Sequence, residues 1–293
     1  MRDYNKGQSV KIGVFDSGVG GLSVLKSLLE AKFFDEIIYY GDTARVPYGV
    51  KDKDTIVRFS LEALDFFKPF KIDMLIVACN TVSAYALRAL RQNANFPVLG
   101  VIDAGVLAVQ KALKNKNSQI LVLGTRATIT SRQYQKRLMK VGFRRIEALA
   151  TGLFVPMVEE GIFEGELVQA AFEHYFKPLN SKLNSSSGAN KGKNSRVLSK
   201  NSKSNADLSE FGEAKDLNID ALILGCTHFP LLSKALQGYF GDKTKLIHSG
   251  DAIVSQLQSE FKLRRKKIIS KVKFYASSDI KALKKTAKSW LKA

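Results

Sequence analysis

The stretch LIVACNTVS, Leu75 to Ser83, is matched about half the chain later by LILGCTHFP, Leu222 to Pro230. In each, an unbroken apolar run ends in a cysteine flanked by Asn, Thr or His, and Asp73 and Asp220 each precede their cysteine by six residues. Apolar runs of this length, closed by small polar residues and followed by helical patterns, read as buried parallel strands. The same texture recurs in KIGVFDSG, EIIYYGDT, PVLGVID, QILVLGTR and KLIHSGD. The fold class is therefore α/β, with helices on both faces of parallel sheets. Earlier in each half, IGVFDSGVGGLS and LVLGTRATITS pass from a strand through a Gly, Ser or Thr turn into a helix. The repeat predicts two similar α/β units facing each other across a cleft, with a ligand site at the C-terminal strand ends.

At 293 residues and 45% hydrophobic content the chain can bury a sizeable core. No run approaches the roughly 18 apolar residues of a membrane span, and the N-terminal MRDYNKGQSV lacks the apolar centre of a secretory signal, so a cytoplasmic protein with no membrane partner is expected. A single disulfide between the only two cysteines would be a poor framework for such a chain, which directs attention to thiol chemistry. The net charge of +19 invites a nucleic-acid reading. More than half of it sits beyond residue 261, where twelve Lys or Arg face the single Asp279. There Ile280, Leu283, Ala287 and Leu291 mark one buried helical face with lysines on the solvated side. Non-specific polyanion binding is compatible with this run, but no zinc-finger spacing, basic zipper or aromatic RNA-binding strand supports sequence-specific recognition. Residues 180–215, opening NSKLNSSSGANKGKNSRVLSKNSKSN, are too polar to offset their ordering entropy and predict a mobile surface insertion.

The turn DSGVGGLS, with Ser17, Gly18, Gly20 and Gly21 before a helix, predicts amides that meet a carboxylate or phosphate. It matches neither the dinucleotide fingerprint nor the ATP-loop motif. Asn80, Thr81, Thr125, Thr128 and Thr227 add neutral hydrogen-bonding groups at strand ends. Singly, each is an ordinary helix cap, and only their convergence points to a site. Cys79 and Cys226 are expected at helix starts, where the dipole favours thiolate. One free cysteine packs as a small core residue, but packing gives no reason to repeat the polar flanks. A zinc site from Cys79, Cys226 and His228 lacks the close ligand pairs such sites use, and a Cys-His hydrolase built on His228 leaves Cys79 without a task. Inverting a stereocentre needs a base on one face of a carbon and an acid on the other. Two thiols on related units supply that pair.

FDSGVGGLSVL, GDTARVPYG, ACNTVSA and LGCTHFPLL, in this order, resemble the glutamate racemase family within the aspartate/glutamate racemase superfamily. The resemblance covers the chain apart from the first ten residues and the 180–215 insertion. It implies cofactor-independent interconversion of L-glutamate and D-glutamate, supplying D-glutamate for bacterial peptidoglycan, with no pyridoxal phosphate, no metal, and a homodimer. It also implies two flavodoxin-like or Rossmann-like parallel-sheet domains related by a pseudo-two-fold axis. The first would comprise residues 1–101 plus 232–293 and the second residues 102–231, containing the insertion. By match, Cys79 and Cys226 are the two acid/base residues, the first acting on D-glutamate and the second on L-glutamate. Asp16 would assist Cys79 and His228 would assist Cys226. Asp16, Ser17, Asn80 and Thr81 would line the site from one side, Tyr48 and Gly49 would form a substrate-contacting turn, and Thr125, Thr128, Thr227 and His228 would close the other side. Glu159 corresponds to a carboxylate near the substrate ammonium, with Glu160 adjacent. His248 stands where many relatives have Asp. The short N-terminal stretch predicts no activation by a nucleotide sugar. An aspartate racemase and a polyanion-binding protein are the competing readings.

Overall fold

The computed structural model describes residues 9–187, 217–267 and 269–292. The chain runs β1 (Lys11–Asp16), α1 (Leu22–Ala31), β2 (Glu36–Gly41), α2 (Lys53–Phe67), β3 (Met74–Val77), α3 (Asn80–Tyr85), α4 (Leu87–Asn93), β4 (Val98–Gly100) and α5 (Val101–Ala112). It continues through β5 (Gln119–Gly124), α6 (Arg126–Ser131), α7 (Gln133–Lys140), β6 (Arg145–Ala150), α8 (Phe154–Glu159), α9 (Glu166–Ser187), β7 (Ala221–Gly225), α10 (Ser233–Phe240) and β8 (Lys245–Ile247). It closes with α11 (Ser249–Phe261), β9 (Lys271–Ala276) and α12 (Ile280–Trp290).

Two all-parallel sheets result, ordered β4-β3-β1-β2-β9 and β6-β5-β7-β8. From its other edge the second reads β8-β7-β5-β6, which is the winding of the first four strands repeated. The strands leading into the two cysteines, β3 and β7, therefore hold equivalent places beside β1 and β5. Their residues alternate between cores on opposite sheet faces. Met74 and Ile76 join α1, α11 and α12, whereas Leu75 and Val77 join α2, α3 and α4. Leu222 and Leu224 join α8, α9 and α10, whereas Ala221 and Ile223 join α5 and α7. Burial on both faces is why these strands read as continuous apolar runs. Each such Leu or Ile contributes roughly 1.5–3 kcal/mol.

The return to the first unit, expected at residue 232, comes later in the chain. Leu236, Tyr239 and Phe240 of α10 enter the second unit's core, and β8 pairs with β7, covering an edge that would otherwise present unpaired backbone groups. The chain recrosses at α11, which packs on α1 and α5. The other expected boundary, between residues 101 and 102, cuts through α5. That helix serves both units, placing Val101 and Ala104 in one core and Ile102, Val106 and Val109 in another.

Two edge strands escape the apolar-run pattern. β6 (RIEALA) and β9 (KVKFYA) are half-exposed and carry charges at alternate positions. β9 lies within the basic C-terminal run yet pairs along β2 from Lys271 to Ala276. Glu36 of β2 offsets the charge there, meeting Lys11 at 3.0 Å and Lys273 at 2.6 Å. Beyond β9, α12 buries Leu283 and Ala287 and exposes its lysines, as its periodicity requires. Of the 180–215 segment, α9 extends to Ser187, and the part from 188 on lies outside the described residues. Among the described residues, no helix is long and apolar enough to cross a membrane.

Candidate active site

The C-terminal ends of β1 and β3 face those of β5 and β7 across a cavity of about 170 Å³. Cys79 follows β3 as the cap residue of α3. Cys226 follows β7 directly and precedes a 3-10 turn at Phe229–Leu232 rather than an α-helix. Both cysteines are free, 6% exposed, and on the wall of this one cavity. Ser17, Tyr48, Gly49, Asn80, Thr81, Thr125, Thr227, His228 and Glu159 also line it, so eleven of the thirteen residues that the resemblance assigned to the site converge. Asp16 and Thr128 do not reach the wall.

Asp16 lies beneath it, fully buried. Its Oδ2 accepts the Gly18 amide at 2.9 Å and its Oδ1 faces the Thr227 hydroxyl at 3.5 Å, while the Gly21 amide is a further partner. The glycine turn expected to offer amides to a ligand therefore spends two of them on the protein's own carboxylate. Burial pushes the Asp16 carboxyl above its ordinary range, against these hydrogen bonds and the His228 charge. Gly20 is required by close approach, since a Cβ there would sit 2.3 Å from Thr227 Oγ1 and 2.6 Å from His228 Cε1. Thr128 sits behind the wall, where the hydroxyls of Thr81, Thr125 and Thr128 form a triangle of 3.0, 3.0 and 3.3 Å.

The two thiols have different neighbours. The Cys79 sulfur meets the Ser17 hydroxyl at 3.4 Å. Burial first, and then the Asp16 charge, push this thiol up to about 12, so the depression expected from its helix-start position is outweighed. Asp16 acts on Cys79 through its charge rather than by contact. The Cys226 sulfur lies 3.7 Å from His228 Nδ1, and His228 Nε2 lies 3.0 Å from Glu159 Oε1. Burial lowers the imidazole, but hydrogen bonds to Cys226 and Glu159, reinforced by the charges of Cys226 and Asp16, lift it to about 10. Of the adjacent pair, Glu159 rather than Glu160 is on the cavity wall.

Packing aims these groups. Phe154, at the start of α8, meets Phe172, Tyr175, Phe176 and Phe229 with centroids 5.4–6.3 Å apart. This tethers the helix that ends in Glu159 to the turn that follows His228. The Tyr48 hydroxyl bonds buried Asp42, which also accepts Arg45 Nε at 2.7 Å. The loop between them, including the cis Val46–Pro47 bond, thus forms a fixed wall. Several wall residues carried no sequence signal, among them Arg126, Gly152, Val155 and Pro156. Trp290 of α12 lines a neighbouring pocket rather than this wall, and its ring stands edge-on to His228 at 6.0 Å. Among the described residues, no group of three or more His, Cys, Asp or Glu is placed to hold a metal ion.

Comparison with known proteins agrees with this geometry. Residues 14–190 match the family described as Asp/Glu/Hydantoin racemase. A glutamate racemase from Campylobacter jejuni is 60% identical over 282 residues, covering 96% of this chain and 98% of its own. The crystal structure of the Campylobacter jejuni glutamate racemase is similar with a TM-score of 0.83, covering 97% of this chain and 98% of that one. The Francisella tularensis glutamate racemase, solved in complex with D-glutamate, is similar at 0.74 and 30% identity, covering 97% and 94%. With two parallel sheets of repeated winding and paired thiols at equivalent strand ends, the chain belongs to the glutamate racemases of the Asp/Glu/Hydantoin racemase family.

Proposed function

We propose that this protein interconverts L-glutamate and D-glutamate by two-base proton transfer at the α-carbon, without a cofactor, and so supplies D-glutamate for peptidoglycan synthesis in the cytoplasm as a homodimer. The observation that carries this reading is the pair of buried, unbridged cysteines at equivalent strand ends of two related sheets, both on one cavity wall. A racemase needs a base and an acid on opposite faces of one carbon, and a repeat with pseudo-two-fold symmetry supplies that relation.

In the L-to-D direction, the Cys226 thiolate takes the α-proton and Cys79, held as a thiol by its burial, delivers one to the other face. In the reverse direction the roles exchange. His228, between Cys226 and Glu159, supplies the positive charge a Cys226 thiolate needs and a route for its proton to leave. Among the described residues, Cys79 has no comparable cation within contact, its side-chain partner being the Ser17 hydroxyl. The ammonium group of bound glutamate provides one, favouring its thiolate only once substrate is in place. Ser17, Tyr48, Gly49, Asn80, Thr81, Thr125 and Thr227 provide the neutral hydrogen bonds that orient two carboxylates.

The purified protein should racemise glutamate with nothing added, followed by circular dichroism, and should turn over aspartate far more slowly. In deuterium oxide, solvent deuterium should appear at the α-carbon of the product. Cys79→Ala and Cys226→Ala should each lower racemisation by at least about a thousandfold, the scale of losing an essential acid or base. A requirement for pyridoxal phosphate, or full activity in either variant, would overturn the reading.

A further inference from the structure

The geometry points to Tyr134, which lies outside the cavity, as the positioning residue that sets the orientation of the Asn80 side-chain amide beside Cys79. This rests on the function proposed above. Tyr134 belongs to α7 of the second unit, and its 1% exposed ring carries a hydroxyl that donates to Asn80 Oδ1 at 2.7 Å. Asn80 belongs to α3 of the first unit.

The direction of each hydrogen bond follows from the end of the chain. The Leu224 carbonyl can only accept, so the Ser249 hydroxyl, 3.4 Å away, donates to it. The Ser249 oxygen then accepts from Asn80 Nδ2 at 3.3 Å. Asn80 Oδ1 is left facing the phenol, which donates to it, and the Ser249 side chain is a further hydrogen-bonding neighbour of that phenol. This uses one of the two amide hydrogens and one of the two Oδ1 lone pairs, leaving one of each for a ligand. The Tyr134 ring cannot swing away. A Cβ at Gly105 would lie 3.2 Å from its Cε1, and one at Gly225 would lie 3.3 Å from its Cε2, so two glycines form a slot for it. The neighbouring Thr81 is tied to the second unit through Thr125 at 3.0 Å. Asn80 is thus built on one unit but aimed by the other.

Without the phenol hydroxyl, the Asn80 amide is held only by Ser249, whose hydroxyl can turn to donate as well as accept, so the amide can rotate by half a turn and exchange the donor and acceptor it presents. Substrate binding then weakens while the thiols stay in place. Tyr134→Phe keeps the ring and removes only the donor. Steady-state kinetics with each enantiomer should show KM raised about tenfold, kcat within about threefold, and a thermal midpoint within a few degrees of the parent, as for loss of one hydrogen bond. Because the enantiomers have equal free energy, kcat/KM must fall by the same factor in both directions. In an Asn80→Ala background, Tyr134→Phe should cause no further loss. Ser249→Ala should act in the same direction and serves if Tyr134→Phe does not fold. A KM within twofold of the parent in both variants, or an equal loss from Tyr134→Phe in the Asn80→Ala background, would overturn the assignment. Inactivity of the parent towards glutamate would instead sink the proposed function. The assignment would still be tested by NMR of 15N-asparagine-labelled protein, where Asn80 side-chain amide protons should exchange slowly in the parent and at least tenfold faster in Tyr134→Phe. Equal exchange would overturn it.

Discussion

Two groups beside the thiols show how burial and charge decide protonation. Asp16 holds the glycine turn and raises the Cys79 thiol by charge across a buried gap. Asp16→Asn removes that charge and keeps most of the hydrogen bonding. The pH midpoint for Cys79 alkylation by iodoacetamide should therefore move down from about 12, measured in a Cys226→Ala background. An unchanged midpoint would mean that burial alone sets it. His228 gives the opposite linkage. Its folded value of about 10 stands above the ordinary 6.5, so the stability it confers is complete below about pH 6.5 and is lost as pH rises through 10. Thermal midpoints measured from pH 6.5 to 10.5 should fall in the parent and fall less steeply in His228→Asn.

The elements that carry the site are short and depend on tertiary contacts. α3 and α8 have six residues each, too few to be stable helices alone. α3 is held by the threonine triangle and Asn80, and α8 by the aromatic cluster around Phe154. The start of α1 is held by close approach. Ser23 Oγ donates to the Thr227 carbonyl at 2.7 Å, and Gly20 packs against Thr227 and His228. In Gly20→Ala the added methyl displaces both residues. It should cost roughly 1–3 kcal/mol, read from urea unfolding, and lower racemisation at saturating glutamate, because His228 moves relative to Cys226.

Across the whole molecule, the basic C-terminal run divides into structural and solvated parts. β9 completes the first sheet and Trp290 reaches His228, so deleting the run would remove a strand together with its charge. Lys281, Lys284 and Lys288 of α12 are exposed and carry no contact to the cavity wall. Replacing the three with Glu should lower the salt concentration needed to elute the protein from heparin, with kcat and KM within twofold of the parent. Unchanged elution would place polyanion affinity elsewhere on the surface.

The α/β class, the repeat, seven of the nine described strands and the two thiols were legible in the sequence, because strands buried on both faces leave unbroken apolar runs, because the short edge strand β8 ends in a recognisable polar turn, and because the LIVAC and LILGC stretches repeat their polar flanks. The edge strands β6 and β9 were not, since one-sided burial leaves an alternating pattern that charged residues mask. Nor was the point of return to the first unit, because it depends on which sheet edge β8 covers rather than on any property of its three residues. The convergence of Cys79 with Cys226 follows from the repeated winding. The state of the groups around them does not. Asp16 was expected on the wall and lies beneath it, and the Cys79 thiol was expected to be lowered and is raised. Desolvation and charge depend on distances between residues far apart in the chain, such as Asp16 and Thr227, and those distances exist only once the two units have closed on each other.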